Sequence, residues 1–210
     1  MSINLQITRA LEKSKSLVGF VAEGLNGLKI EELPQNRRLK LAMACQHLAI
    51  EHSQAIIALV DNKWYGSALA LQRPLFDAVV RGVWLRYAAT DDEIDKAAEG
   101  EFPTLEEMTS RSPKSMNQGD AAPLKVPKDL WWRRLCGYTH GGPEQLLARL
   151  DHTGIRANYS QEEILATLRW SDMAQLCAGV QMADAAGNGP LAQTFLDFHD
   201  REIDFEEAPG

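Results

Sequence analysis

The chain has 210 residues, enough for one domain with a sizeable core and short for two. Its hydrophobic share of 45% and charged share of 24% are ordinary globular values. The net charge of -7 gives no global pull toward nucleic acid or an anionic membrane, so any nucleic-acid contact needs a local basic patch.

Cys45, Cys136 and Cys177 lie far apart, with no C-x-x-C and an odd total, which argues against a disulfide framework or a structural zinc site and fits a reducing cytoplasm. The polar start "MSINLQITRALEKSKS" does not read as a signal peptide, and no apolar run is long enough to span a bilayer. The expectation is a cytoplasmic protein without a membrane segment.

The periodicity is helical from the first residues. Ser2 is placed to cap a helix carrying Ile3, Ile7, Leu11, Val18, Val21 and Leu25, which "GLKIEELPQN" ends. A second helix, about 37–60, has a stripe of Leu41, Cys45, Leu48, His52, Ala55 and Leu59 that predicts a buried face. A third, about 65–89, should bury Leu69, Gln72, Phe76, Val80, Trp84 and Tyr87, with a kink or break at Pro74. Residues 100–128 are rich in Pro, Ser, Lys, Asp and Gly and read as a long loop holding a short helix around 104–109.

A short helix, about 127–136, leads into "GYTHGG", and Pro143 suits the first position of another helix. Ser160 and Glu163 form a capping box ahead of a long helix, and a last helix, about 190–199, precedes an acidic tail over 200–210. With no repeat and no convincing strand, the chain reads as one all-α domain over 1–210. Its predicted architecture is an antiparallel bundle of about four to six helices with one long inserted loop.

The densest cluster of chemistry is "WWRRLCGYTHGG", residues 131–142. Arg134, five residues and then His140 (or Arg133 and six) is similar to the arginine-to-histidine spacing of the HEPN superfamily of helical bundles. Many of its members are metal-independent ribonucleases of toxin, antiphage and RNA-processing systems. A helix like "LQRPLFDAVVRGVWLRY" before the loop, and the "YTHGG" turn after it, resemble a group of bacterial HEPN-like proteins. The resemblance spans about residues 37–185 and implies RNA as substrate, no cofactor, and a homodimer in which two such turns face one another.

Under that resemblance His140 acts as acid/base and Arg134 binds phosphate. Histidine titrates near neutral pH, whereas arginine stays charged and offers a planar fork that matches phosphate oxygens. Arg73, Arg81, Arg133 and Tyr138 complete the candidate substrate-binding set. Active members place a small polar residue after the arginine, where this chain has Leu135. The alternative is therefore a non-catalytic helical module that binds a protein partner in a defence or regulatory system.

Plainer roles stand beside these. Arg73, Asp77 and Arg81 are four apart and also read as an intrahelical ion-pair ladder. Arg133 and Arg134 would otherwise be solvated or paired with a carboxylate such as Asp129. His52 reads as a core histidine, and at least one of Trp131 and Trp132 as an anchor of their short helix more than as a base-stacking platform. His47, Glu51 and His52 lack the Glu-x-x-His pairs of a di-iron bundle, so no metal is expected.

Overall fold

The computed structural model describes residues 3–31, 33–111 and 125–202. Among them are nine helices: α1 (Ile3–Leu25), α2 (Arg37–Asp61), α3 (Tyr65–Tyr87), α4 (Asp91–Ala98), α5 (Leu105–Ser110), α6 (Lys125–Thr139), α7 (Pro143–Leu147), α8 (Gln161–Ala185) and α9 (Gly189–Glu202). A minimal hairpin, β1 (Leu150–Asp151) and β2 (Gly154–Ile155), lies between α7 and α8. The fold is an all-α helical bundle, and no described helix is long and apolar enough to cross a membrane. The Ser2 cap, residues 112–124 of the expected loop and the tail beyond 202 lie outside the described residues.

Local signals explain most of the boundaries. Asn36 caps α2 by accepting from the Leu39 amide at 3.0 Å. Thr90 with Glu93, Thr104 with Glu107 and Ser160 with Glu163 each form a complete capping box, starting α4, α5 and α8. Helix α5 matches the short helix expected near 104–109, whereas no element is expected over the residues of α4. The hairpin was missed as well, because two-residue strands are too short for an alternating pattern. It closes through Asp151, whose side chain accepts from the Thr153 amide at 2.7 Å, and through Gly154, whose φ of +139° lies in the region glycine favours.

Helix α2 packs along α3 and α8, α1 and α9 pack on α8, and α6 lies on α3. The short turn Asn62–Trp64 makes α2 and α3 antiparallel neighbours. The buried face of α2 differs from the expected stripe. Ala42, Met43, Gln46, Ala49, Ile50, Ser53, Ile56, Ile57 and Val60 are buried, while Leu48 is exposed and Cys45 and His52 sit at the edge. Helix α2 is covered from two sides, so its inner face is wide and takes in polar Gln46 and Ser53; a purely apolar stripe marks one flank of it. The close approach of α2 to α3 depends on Gly82, where a Cβ would lie 2.4 Å from Gln46 Nε2 and 3.2 Å from the Ala42 carbonyl oxygen.

The inner face of α3 is nearer expectation, with Leu69, Phe76, Val80 and Trp84 buried and Tyr87 exposed. Helix α3 passes through Pro74 without a break. Proline has no amide hydrogen, so the Ala70 carbonyl loses its normal partner in the helix. Thr139 Oγ1 donates to that oxygen at 3.0 Å, and this bond fastens the end of α6 onto α3.

Candidate functional site

The end of α6 builds the site. Leu135 is buried against the core, and the Trp132 ring lies 6.3 Å from Phe76, so Trp132 anchors the helix as expected. The Trp131 side chain lies outside the described residues. Gly141, with φ +66°, takes the left-handed position that ends the helix, and the Gly142 amide donates back to the Gly137 carbonyl at 2.7 Å. His140 is left on the last turn with its ring exposed.

That ring meets Arg73, whose Nη1 hydrogen-bonds with His140 Nε2. Arg73 also lies over the Trp132 ring, 4.7 Å from the guanidinium carbon to the ring centroid. Arg73 borders a cleft of about 360 Å³ between α2, α3 and the end of α6, lined also by Cys45, His52, Asp77, Arg81 and Thr139. Burial pushes the Asp77 carboxyl up against the opposing charges of Arg81 and Arg73, and it pulls His52 down against the charge of Glu51. Burial also raises the Cys45 thiol, disfavouring a thiolate there. Arg81 places its guanidinium 4.4 Å from the Phe102 centroid, and its Nε is buried without a hydrogen-bond partner among the described residues.

Arg134 has different company. Six helical residues at 100° each place it about 120° around the axis from His140. It faces α8, where Nη2 donates to Glu163 Oε1 at 2.6 Å and Nε donates to Tyr138 Oη at 3.3 Å. The Tyr138 hydroxyl donates to the same Glu163 oxygen, while Glu163 Oε2 accepts from the Ser160 amide at 2.8 Å. Burial raises the Tyr138 hydroxyl to about 12, helped by its bond to Glu163. Burial works the other way on Glu163 ionisation, but bonds from Tyr138, Ser160 and Arg134 outweigh it and hold the carboxyl down to about 2. Arg134, Tyr138 and Glu163 edge a pocket of about 220 Å³ floored by Leu69, Leu135 and Trp170. Arg133 is exposed on a groove that also borders Arg134 and Glu144.

The predicted residues therefore divide between two faces of α6. Arg73 and Arg81 line the α2–α3 cleft, with His140 against Arg73, whereas Arg133, Arg134 and Tyr138 border the pockets on the α8 side. Glu163 was visible in the sequence as a capping residue, and His52 as a histidine on the predicted buried stripe. Nothing within either helix reveals that Glu163 also binds Arg134 or that His52 borders the Arg73 cleft. Among the described residues no three His, Cys, Asp or Glu side chains are grouped to hold a metal ion.

The Glu163 cluster has a predictable acid response. A carboxyl held at about 2 when folded, against 4.5 as its ordinary value, stabilises the fold fully above 4.5 and loses that contribution as pH falls through 2. Glu163→Gln is expected to cost about 1–2 kcal/mol at pH 7 after allowance for solvent screening. Urea unfolding at pH 7 and pH 3 checks this, because the gap between wild type and variant should shrink at the lower pH.

Among curated proteins and among solved structures, nothing matches the chain. Residues 46–203, from within α2 to the end of α9, match a family-wide sequence pattern. On that match, which covers most of the bundle and both faces of α6, the chain belongs to DUF6988, a family of unknown function.

Proposed function

We propose that the chain is a metal-independent, HEPN-like endoribonuclease whose reaction centre is the Arg73–His140 pair. The observation that carries this reading is the exposed His140 imidazole in contact with a guanidinium that borders an open cleft. A phosphodiester entering the cleft would draw Arg73 to its oxygens and free His140 Nε2 for proton transfer. Arginine then stabilises the charge that builds on phosphorus as the 2′-hydroxyl attacks. Arg134, already neutralised by Glu163, serves in this reading to seat α6 against α8.

A second reading, a non-catalytic partner-binding module, has its own support. Leu146, Leu147 and Ile155 are 61%, 68% and 86% exposed around α7 and the hairpin, an apolar surface of the kind proteins use for contact.

RNA cleavage with chelator present separates the two readings. Wild type should cut single-stranded RNA, and Arg73→Ala and His140→Ala should each slow it by about 10²–10⁴-fold while remaining folded. Arg134→Ala should lower stability more than it lowers the rate of the folded fraction. A wild-type protein that leaves structured and unstructured RNA intact removes the enzymatic reading and leaves the module.

A further inference from the structure

Cleavage through a 2′-hydroxyl requires two proton transfers at opposite ends of the scissile group. One group takes the proton of the attacking 2′-oxygen, and another supplies a proton to the departing 5′-oxygen. His140 can perform only one of these at a time. A second titratable group should therefore border the same guanidinium, presented by a different element.

His52 meets that description. It lies on α2 and lines the same 360 Å³ cleft as Arg73 and as Thr139 at the end of α6. Its ring is half-buried, at the edge of the α2 face and clear of the fully packed interior formed by Ser53 and Ile56. Arg73 thus touches the His140 ring and shares a cleft with the His52 ring. The remaining titratable groups of the cleft are less suited. Asp77 shares the α3 surface with Arg73 and Arg81, and the Cys45 thiol is kept protonated by burial.

We propose that His52 is the second catalytic residue, the base that accepts the 2′-hydroxyl proton, with His140 as the acid. This rests on the ribonuclease reading above. The 2′-oxygen bonds to phosphorus as its proton passes to His52. The bond from phosphorus to the 5′-oxygen then breaks, and that oxygen takes a proton from His140. The products are a 2′,3′-cyclic phosphate and a 5′-hydroxyl end, and the two imidazoles return to their starting states by exchanging protons with water. Burial lowers the proton affinity of His52, which keeps it neutral near pH 7 as a base must be.

The roles can be separated with a substrate whose 5′-bridging oxygen is replaced by sulfur, since a thiolate departs without an acid. On ordinary RNA, His52→Gln and His140→Ala should each slow single-turnover cleavage by about 10²–10⁴-fold. Each should also remove one limb of a bell-shaped pH–rate profile. On the sulfur-bridged RNA, His140→Ala should recover to near the wild-type rate while His52→Gln stays slow. Binding of a non-cleavable 2′-O-methyl RNA, followed by fluorescence anisotropy, should be unchanged in His52→Gln, which also reports that the variant is folded. A His52→Gln enzyme with wild-type rate and profile, or one rescued by sulfur, overturns the assignment and leaves the ribonuclease reading in place. Loss of RNA binding in step with the rate also overturns it, assigning His52 to packing or binding. A wild type that cleaves neither substrate ends both proposals together.

Discussion

Replacing Phe76 with alanine is expected to lower the stability of the fold by about 3–5 kcal/mol, the usual cost of emptying a fully buried aromatic position. Phe76 is 1% exposed, and its ring lies 5.6 Å from that of Trp170 and 6.3 Å from that of Trp132. It joins three helices at one point: α3 carries it, α8 supplies Trp170 and α6 supplies Trp132. The two indoles are covalently fixed to separate helices, so they can close only part of the resulting cavity. Denaturant unfolding should show a lower midpoint with an unchanged slope, since the variant exposes a similar surface on unfolding.

The consequence reaches the candidate site through Trp132, whose ring also supports Arg73 at 4.7 Å. A loosened indole leaves the guanidinium less well placed, so any RNA cleavage by Phe76→Ala should fall, though by less than in Arg73→Ala. A loss of stability below about 1 kcal/mol would contradict this account of the three-helix junction, given what cavities usually cost.

Asp172→Asn is expected to act in the opposite direction, stabilising the protein at pH 8 by about 2–3 kcal/mol. Asp172 is mostly buried on α8, and burial pushes its carboxyl up to about 7, opposed by the hydroxyl of Ser14. That hydroxyl donates to Oδ2 at 2.8 Å and ties α1 to α8, while Oδ1 is buried with no partner among the described residues. A folded value near 7, above the ordinary 3.8, means that this group favours folding most below 3.8. The contribution is lost as pH rises through 7, so the ionised carboxylate costs stability at pH 8. Asparagine keeps the shape and an acceptor for Ser14 without the charge. Urea midpoints at pH 8 and pH 5 check the sign: the advantage of the variant should be large at pH 8 and mostly gone at pH 5. A variant less stable than wild type at both values would show that the second Asp172 oxygen has a partner worth keeping.

Much of the architecture was legible from local chemistry. The capping box of Ser160 and Glu163 marked the start of α8 and Pro143 marked α7, whereas the helix expected to end near 136 runs on to Thr139 as α6. These signals are readable because a cap satisfies amides within three or four residues of itself. The same reasoning applied to Thr90 and Glu93 would have revealed α4.

The sequence by itself determined a chain of capped amphipathic helices that can bury a core only by packing against one another, and it placed His140 in a turn just before two glycines. Tertiary structure decided which arginine that histidine meets. Arg134 is nearer in sequence, but the helical rotation turns it to Glu163 on α8, and Arg73 reaches His140 because Pro74 frees a carbonyl that Thr139 takes up. The packing of α2 likewise placed His52 at a cleft edge and buried Gln46 and Ser53 instead. Periodicity constrains residues within one helix, whereas a partner on another helix depends on how the two are rotated and aligned. That relation is set by the packing of the whole bundle.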